Sequence, residues 1–306
     1  MENSNTKVVS IYIMLCLIWG TTWVGIKASL ESLTPFMSAG IRFFIASLVI
    51  FLIMKFKGLK LQTDKLSIKL YLYMGFFSFI IPFGLVYWAQ QFVPSGLSAV
   101  LFAVYPFFVA IFSYFRIPQE EIGLIKVAGI MIGFTGIVVI FSDSFGEDIS
   151  DYILGMIAIV LSGVMQANIA VTLKKSGSHL NSLSMNLTPM LLAGIFMTLF
   201  SFILEDVSLN IFDRNAVLSV SYLAVMGSVV TFTSFYWLLK RVNVVILSLI
   251  AFITPIVALI AGWIFYNEQL TVRHLTGSGL VLIGLLWANM EAYLRYRKVS
   301  KKLHIS

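Results

Sequence analysis

Trp19, Trp23 and Lys27 follow one another at every fourth residue, so in a helix they share one face. Two indole rings leading to an ammonium can stack a small ligand and pair with its carboxylate. The competing reading is packing or an interfacial belt, with Lys27 reaching for headgroups. Gln166, Ala170 and Lys174 repeat the spacing. Gln166 lies mid-run, where an amide needs a partner or water, so it either lines a cavity or bridges two helices. Tyr87 and Trp88 recur as Tyr236 and Trp237, aromatics suited to a cavity wall, a gate or a belt. Arg42 is the deepest charge. The expected role is structural, bonded to carbonyls, and anion anchoring is its rival. Pro106 and Pro255 each deprive the carbonyl four residues back, at Phe102 and Ala251, of its helical donor. That exposes polar backbone to a cavity, lets the helix bend, or is a tolerated kink.

These residues must be held by an apolar scaffold. Of the 306 residues, 59% are AVILMFWYC and 11% are charged, and the mean hydropathy is +0.95. A soluble fold cannot hide that much apolar surface, so the chain reads as an integral membrane protein. Runs long enough to cross a bilayer as helices fall at about 8–30, 35–54, 70–92, 95–115, 122–141, 152–173, 181–204, 216–239, 243–266 and 272–291. They are continuously apolar, which fits helices rather than alternating barrel strands. The first run is too long for a signal-peptide core and is read as retained.

With the amino terminus in the cytoplasm, 17 of the 21 Lys and Arg fall on that side and 9 of the 14 acids on the other. This bias is the signal that orients membrane helices, so both termini are expected in the cytoplasm and the basic surface is a topology signal. Nucleic-acid binding is excluded, because the basic residues are spread over separate loops. Cys16 is the only cysteine, so neither an internal disulfide nor a thiol metal site is possible.

The halves of the chain repeat. Tyr87-Trp88 and Tyr236-Trp237 are 149 apart, as are Pro106 and Pro255. Glu120 and Glu268, Gly129 and Gly277, and Gly136 and Gly284 are 148 apart, and Lys27 and Lys174 are 147 apart. Five helices per half is odd, so the second half enters the membrane from the opposite side. The expected fold is all-α and integral to the membrane: ten transmembrane helices in two inverted five-helix repeats, 8–141 and 152–291, with a basic cytoplasmic tail at 292–306. Secondary transporters commonly use such a plan around a midplane site.

On these residues the chain resembles the EamA-type transporters of the drug/metabolite transporter superfamily. The resemblance rests on IWGTTWVGIKASL in the first helix, SAGIRFFIASLVI in the second, and P-x13-E-x8-G-x6-G across the fourth and fifth, repeated as P-x12-E-x8-G-x6-G in the second half. Gln166 departs from it, standing where the second repeat often has an aromatic residue. The resemblance implies a central cavity and carriage of a small polar metabolite, often outward, across a cytoplasmic membrane. The partners expected are that small molecule and the bilayer. No cofactor and no metal are implied, and no ATPase subunit, since no phosphate-cradling G-x-x-x-x-G-K-[ST] loop occurs. No acid lies clearly mid-span and no catalytic cluster is visible, which disfavours a carboxylate-centred antiporter and a membrane enzyme. A lipid-translocating protein on the same fold is the alternative. Cationic but not acidic groups at depth favour a zwitterionic or anionic substrate, with an amino acid or related metabolite first.

Overall fold

The structure is a computed structural model describing residues 2–117, 123–142, 151–177, 179–207, 212–239 and 250–303. Among them every regular element is helical. In chain order these are α1 (Glu2–Ser29), α2 (Pro35–Phe56), α3 (Lys65–Ala89), α4 (Ser95–Arg116), α5 (Leu124–Phe141), α6 (Asp151–Ser176), α7 (Ser182–Leu204), α8 (214–239), α9 (Ile250–Tyr266) and α10 (Val272–Leu303). Eight contain stretches long and apolar enough to cross a membrane, and Ile250–Tyr266 and Val272–Ala288 are shorter apolar helices. The start expected for the ninth span, Glu120, Lys240, residues 143–150 and the side chain of Tyr236 lie outside the described residues.

Side-chain caps set several starts. Asp64 accepts from Ser67 N (3.0 Å), Asp213 from Ala216 N (2.7 Å) and Asn181 from Leu183 N (2.9 Å), each meeting a backbone donor the first turn leaves open. The Asp64 cap starts α3 about a turn before the apolar run near residue 70. Glycines set the close crossings. A Cβ on Gly129 would strike the α10 backbone at Gly284 and Ala288, and one on Gly136 would lie 2.7 Å from Val281 N. On α7, Gly194 brings the chain against Phe44 of α2. The two largest apolar cores among the described residues lie between the helices, one around Phe43, Phe79, Tyr87 and Met197 and the other around Leu101, Phe107, Met156 and Val281.

Three helices are irregular. α3 widens into a π turn at Gly75–Ile80 and α8 into another at Val225–Val230. α4 divides into Ser95–Phe102 and Tyr105–Arg116, and Pro106 enters the first turn of the second piece, where its missing N–H is not needed. The freed Phe102 carbonyl faces Gly163 of α6, where a Cβ would lie 3.2 Å from it. Pro255 by contrast lies inside the unbroken stretch Ile250–Tyr266.

Candidate functional site

One end of the bundle gathers the α1–α2, α3–α4, α7–α8 and α9–α10 connections. The contacts prove the grouping: Ser32 donates to Asp213 (2.9 Å), Glu205 accepts from Phe36 N (2.8 Å), and Lys27 meets Glu268. This is called the far end, and the end bearing the amino terminus the near end. At the near end Gln62 donates to the His179 carbonyl (3.1 Å), and Ser67 joins Asp64 to the His179 ring.

The charged centre of the far end is Lys27 with Glu268. The ammonium lies 2.8 Å from Glu268 Oε1 and 4.9 Å from the Tyr266 ring centroid. The carboxylate also caps α4, accepting from Ser95 N (2.7 Å) and Gly96 N (3.0 Å). Its side chain is 5% exposed and that of Lys27 29%. Local chain chemistry places it. Asn267 adopts a left-handed conformation (φ 49°), tolerable for asparagine, and turns the chain out of α9. Gly262 then leaves space for the carboxylate, since a Cβ there would strike it. Burial pushes the Glu268 carboxyl up, but the Gly96 N–H, the Lys27 ammonium and the Ser95 N–H together hold it below its ordinary value. A buried acid at the α9–α10 corner, tied across to α1 and α4, is therefore an anion on a helix amino terminus.

Below it, the face predicted from spacing is present. Trp19 and Trp23 are half-buried on α1, about 6 Å of rise apart. Trp19 meets Phe232 and Phe235 of α8, with centroids 5.9 and 5.3 Å away. Trp23 meets Phe102 of α4 at 5.5 Å, and Phe102 stacks on Tyr105. Phe79 of α3 closes on Phe232 at 5.9 Å. Helices α1, α3, α4 and α8 thus converge on one aromatic row that leads to Lys27.

The other expected residues divide. Gln166 is half-buried and makes a reciprocal pair with α3: its Nε2 donates to the Ser78 carbonyl and Ser78 Oγ donates to its Oε1, both at 2.7 Å. Pro82 explains that free carbonyl, since it has no N–H to reach back four residues. Arg42 is 2% exposed and donates to Ser228 Oγ (3.0 Å), Tyr87 OH (3.2 Å) and the Gly227 carbonyl (3.2 Å). Tyr87 is fully buried, in the apolar core that also holds Phe79, and its hydroxyl is engaged by Arg42. Trp88 packs on Phe92 with centroids 5.4 Å apart, and Trp237 lies under Lys7 at the near end, 5.5 Å from the ammonium. Trp237 borders the same small core as Trp19 and Phe235, and Trp88 the core that Phe102 borders.

Several partners carry no obvious sequence signal. Ser78 and Ser228 are 150 apart and sit in the two π turns, each gripped by a polar side chain of another helix. Thr21 bonds Tyr222 (2.6 Å) and Asn168 bonds Tyr73 (2.9 Å), two equivalent pairs, since Thr21 and Asn168 are 147 apart and Tyr73 and Tyr222 are 149 apart. The offset of 147–150 residues that links the proline, glycine and lysine anchors also links these residues.

Comparison with known proteins gives the context. The EamA-like transporter family profile matches residues 6–142 and 153–290. The uncharacterized transporter YoaV of Bacillus subtilis is 27% identical over 279 residues, covering 91% of this chain and 95% of its own length. An uncharacterized transporter of Archaeoglobus fulgidus is 30% identical over 87% of this chain and 93% of its own. The uncharacterized inner membrane transporter YedA of Escherichia coli K12 is 27% identical over 92% and 90%. A solved crystal structure superposes with a TM-score of 0.69 at 16% identity, covering 94% of this chain and 98% of that one, a likeness of fold.

Proposed function

The chain belongs to the EamA-like transporter family, and from that premise we propose that it carries a small polar metabolite across the cytoplasmic membrane by alternating access. The two halves, 8–141 and 152–291, work as inverted five-helix units, with the near end in the cytoplasm. What supports this reading most directly is the far-end lock. Glu268, from the second half, holds Lys27 and the start of α4, both from the first, so opening that end requires the contact to break. The aromatic row of Trp19, Trp23, Phe102 and Phe232 supplies stacking, and Lys27 supplies a positive charge at its head. An amino acid or related zwitterion fits those groups, and export fits the family resemblance.

The test compares metabolites in cells lacking and overproducing the protein, followed by uptake of each accumulating compound into proteoliposomes. Trp19→Ala or Trp23→Ala should lower the rate at least tenfold while leaving folded protein. Unchanged kinetics in both would show that the row is packing. Orientation is tested separately in a Cys16→Ser background. An impermeant thiol reagent outside the cell should modify Ser144→Cys and not Ser300→Cys.

A lipid-moving role has one observation in its favour. A shallow apolar groove lined by Ile13, Leu17 and Met226 lies between α1 and the π turn of α8. Scrambling of fluorescent phospholipid by the reconstituted protein, with no metabolite uptake, would replace the first reading by this one.

A further inference from the structure

Glu268 occupies a position in which a carboxylate is held by groups that it does not itself supply. Lys27 Nζ lies 2.8 Å from one oxygen, and the N–H groups of Ser95 and Gly96 lie 2.7 and 3.0 Å from the two oxygens. Ser95 is fully buried, yet its hydroxyl has no hydrogen-bond partner among the described residues. That hydroxyl and Glu268 Oε2 flank the same point above Gly262, where a Cβ would contact both. An ammonium, two backbone donors of the eight-residue segment Ser95–Phe102 and an unused hydroxyl therefore converge on one small volume cleared by a glycine. The volume also stands at the head of the aromatic row, because Lys27 is one helical turn beyond Trp23 on the same face.

We propose that this is a carboxylate-binding subsite, filled by Glu268 while the far end is closed and taken over by the carboxylate of the carried molecule when Glu268 swings out. The connector between α9 and α10 then acts as an internal stand-in for the ligand. Ser95 Oγ gains the partner it lacks, and Lys27 exchanges one anion for another without being left unpaired in a low-dielectric site. A ligand without a carboxylate or similar planar anion cannot make the exchange, so the lock also selects the chemical class. The inference rests on the reading of the bundle as a metabolite carrier.

The experiment uses the full chain purified into lipid nanodiscs and acetate as the probe. Glu268→Ala vacates the site. Acetate should then raise the unfolding temperature saturably, by several degrees at about 100 mM, as expected for a ligand that binds only the folded state. Equal concentrations of chloride and of acetamide should not. Lys27→Met combined with Glu268→Ala should lose the response, and the unmutated chain should need at least tenfold more acetate because its own carboxylate competes. Glu268→Ser, which also removes the carboxylate and most of the side-chain volume, is measured in parallel in case the alanine variant does not fold. No acetate response in either folded variant would overturn the proposal, as would an equal response to chloride or in the Lys27→Met double variant. These binding results need no transport. A protein that binds acetate as described yet moves no metabolite would instead overturn the carrier reading alone.

Discussion

Arg42 separates a structural from a ligand-binding role by a measurable margin. Its guanidinium is buried, makes three hydrogen bonds and lies 5.1 and 5.2 Å from the ring centroids of Phe43 and Phe83. All three bonds link α2 to α3 or to the π turn of α8. Hydrogen bonds between helices in membranes average about 0.6 kcal/mol and reach about 1.7, so three of them amount to about 2–5 kcal/mol. Arg42→Met keeps the stem and removes every donor, so it should lose about that much. Arg42→Lys keeps the charge on a single nitrogen that cannot span Ser228, Tyr87 and Gly227 together, and should lose about half. The assay is equilibrium unfolding of the purified protein in mixed micelles, with Ser228→Ala completing a double-mutant cycle. The cycle should show a coupling near one bond. If Arg42→Met unfolds like the unmutated chain but abolishes transport, the structural assignment is refuted and Arg42 becomes an anion anchor.

Three further outcomes follow from the same contacts. Glu268 is held below the usual carboxylate range of about 4.3, so the stability it contributes is fully present above that pH and disappears as pH falls through its lowered value. The difference in unfolding temperature between the unmutated chain and Glu268→Gln should be constant from neutral pH to about pH 5 and shrink in stronger acid; a difference independent of pH would exclude the ion pair as its source. Gly136→Leu should prevent or severely weaken the α5–α10 crossing, whereas Gly279→Ala, with no described residue within 4 Å of its new Cβ, should melt within about a degree of the unmutated protein, as scanning of the purified variants would show. Gln166→Leu leaves both polar groups of Ser78 without their partner and should cost about 1–3 kcal/mol in micelle unfolding, and an unchanged midpoint would return Gln166 to a purely lining role.

The helical framework was legible because a bilayer imposes one requirement: long apolar runs whose backbone polar groups are satisfied internally. Apolar runs give the helices, and loop charges give their expected orientation. Glycines were legible for a related reason, since close crossings without an aqueous driving force need small residues. Fine structure within the helices was less so. Pro106 marks a division in α4, but the π turns at Gly75–Ile80 and Val225–Val230 have no composition of their own. Only the 150-residue spacing of Ser78 and Ser228, read together with the other offsets, points to them.

The site was legible one helix at a time. Periodicity alone puts Trp19, Trp23 and Lys27 on one face, because that depends on the helix's own geometry. What the face meets depends on how α4, α8 and α9 pack, and no local pattern encodes that. Lys27 reads either as a ligand-pairing cation or as a charge reaching for headgroups, and Glu268 as a repeat anchor in a loop, with nothing local to join the two. A terminal lysine can extend to headgroups, and a loop glutamate can remain in water, at almost no energetic cost. Their pairing becomes decisive only because Asn267 reverses the chain, Gly262 leaves a space and Ser95 and Gly96 present two open backbone donors to it. Each of those four residues is unremarkable alone. Together they turn a carboxylate inward and convert a solvent-seeking group into a buried contact between the two halves. A residue of this kind emerges from the intersection of three chain segments, which is why charge type and spacing located the lysine and left its partner unassigned.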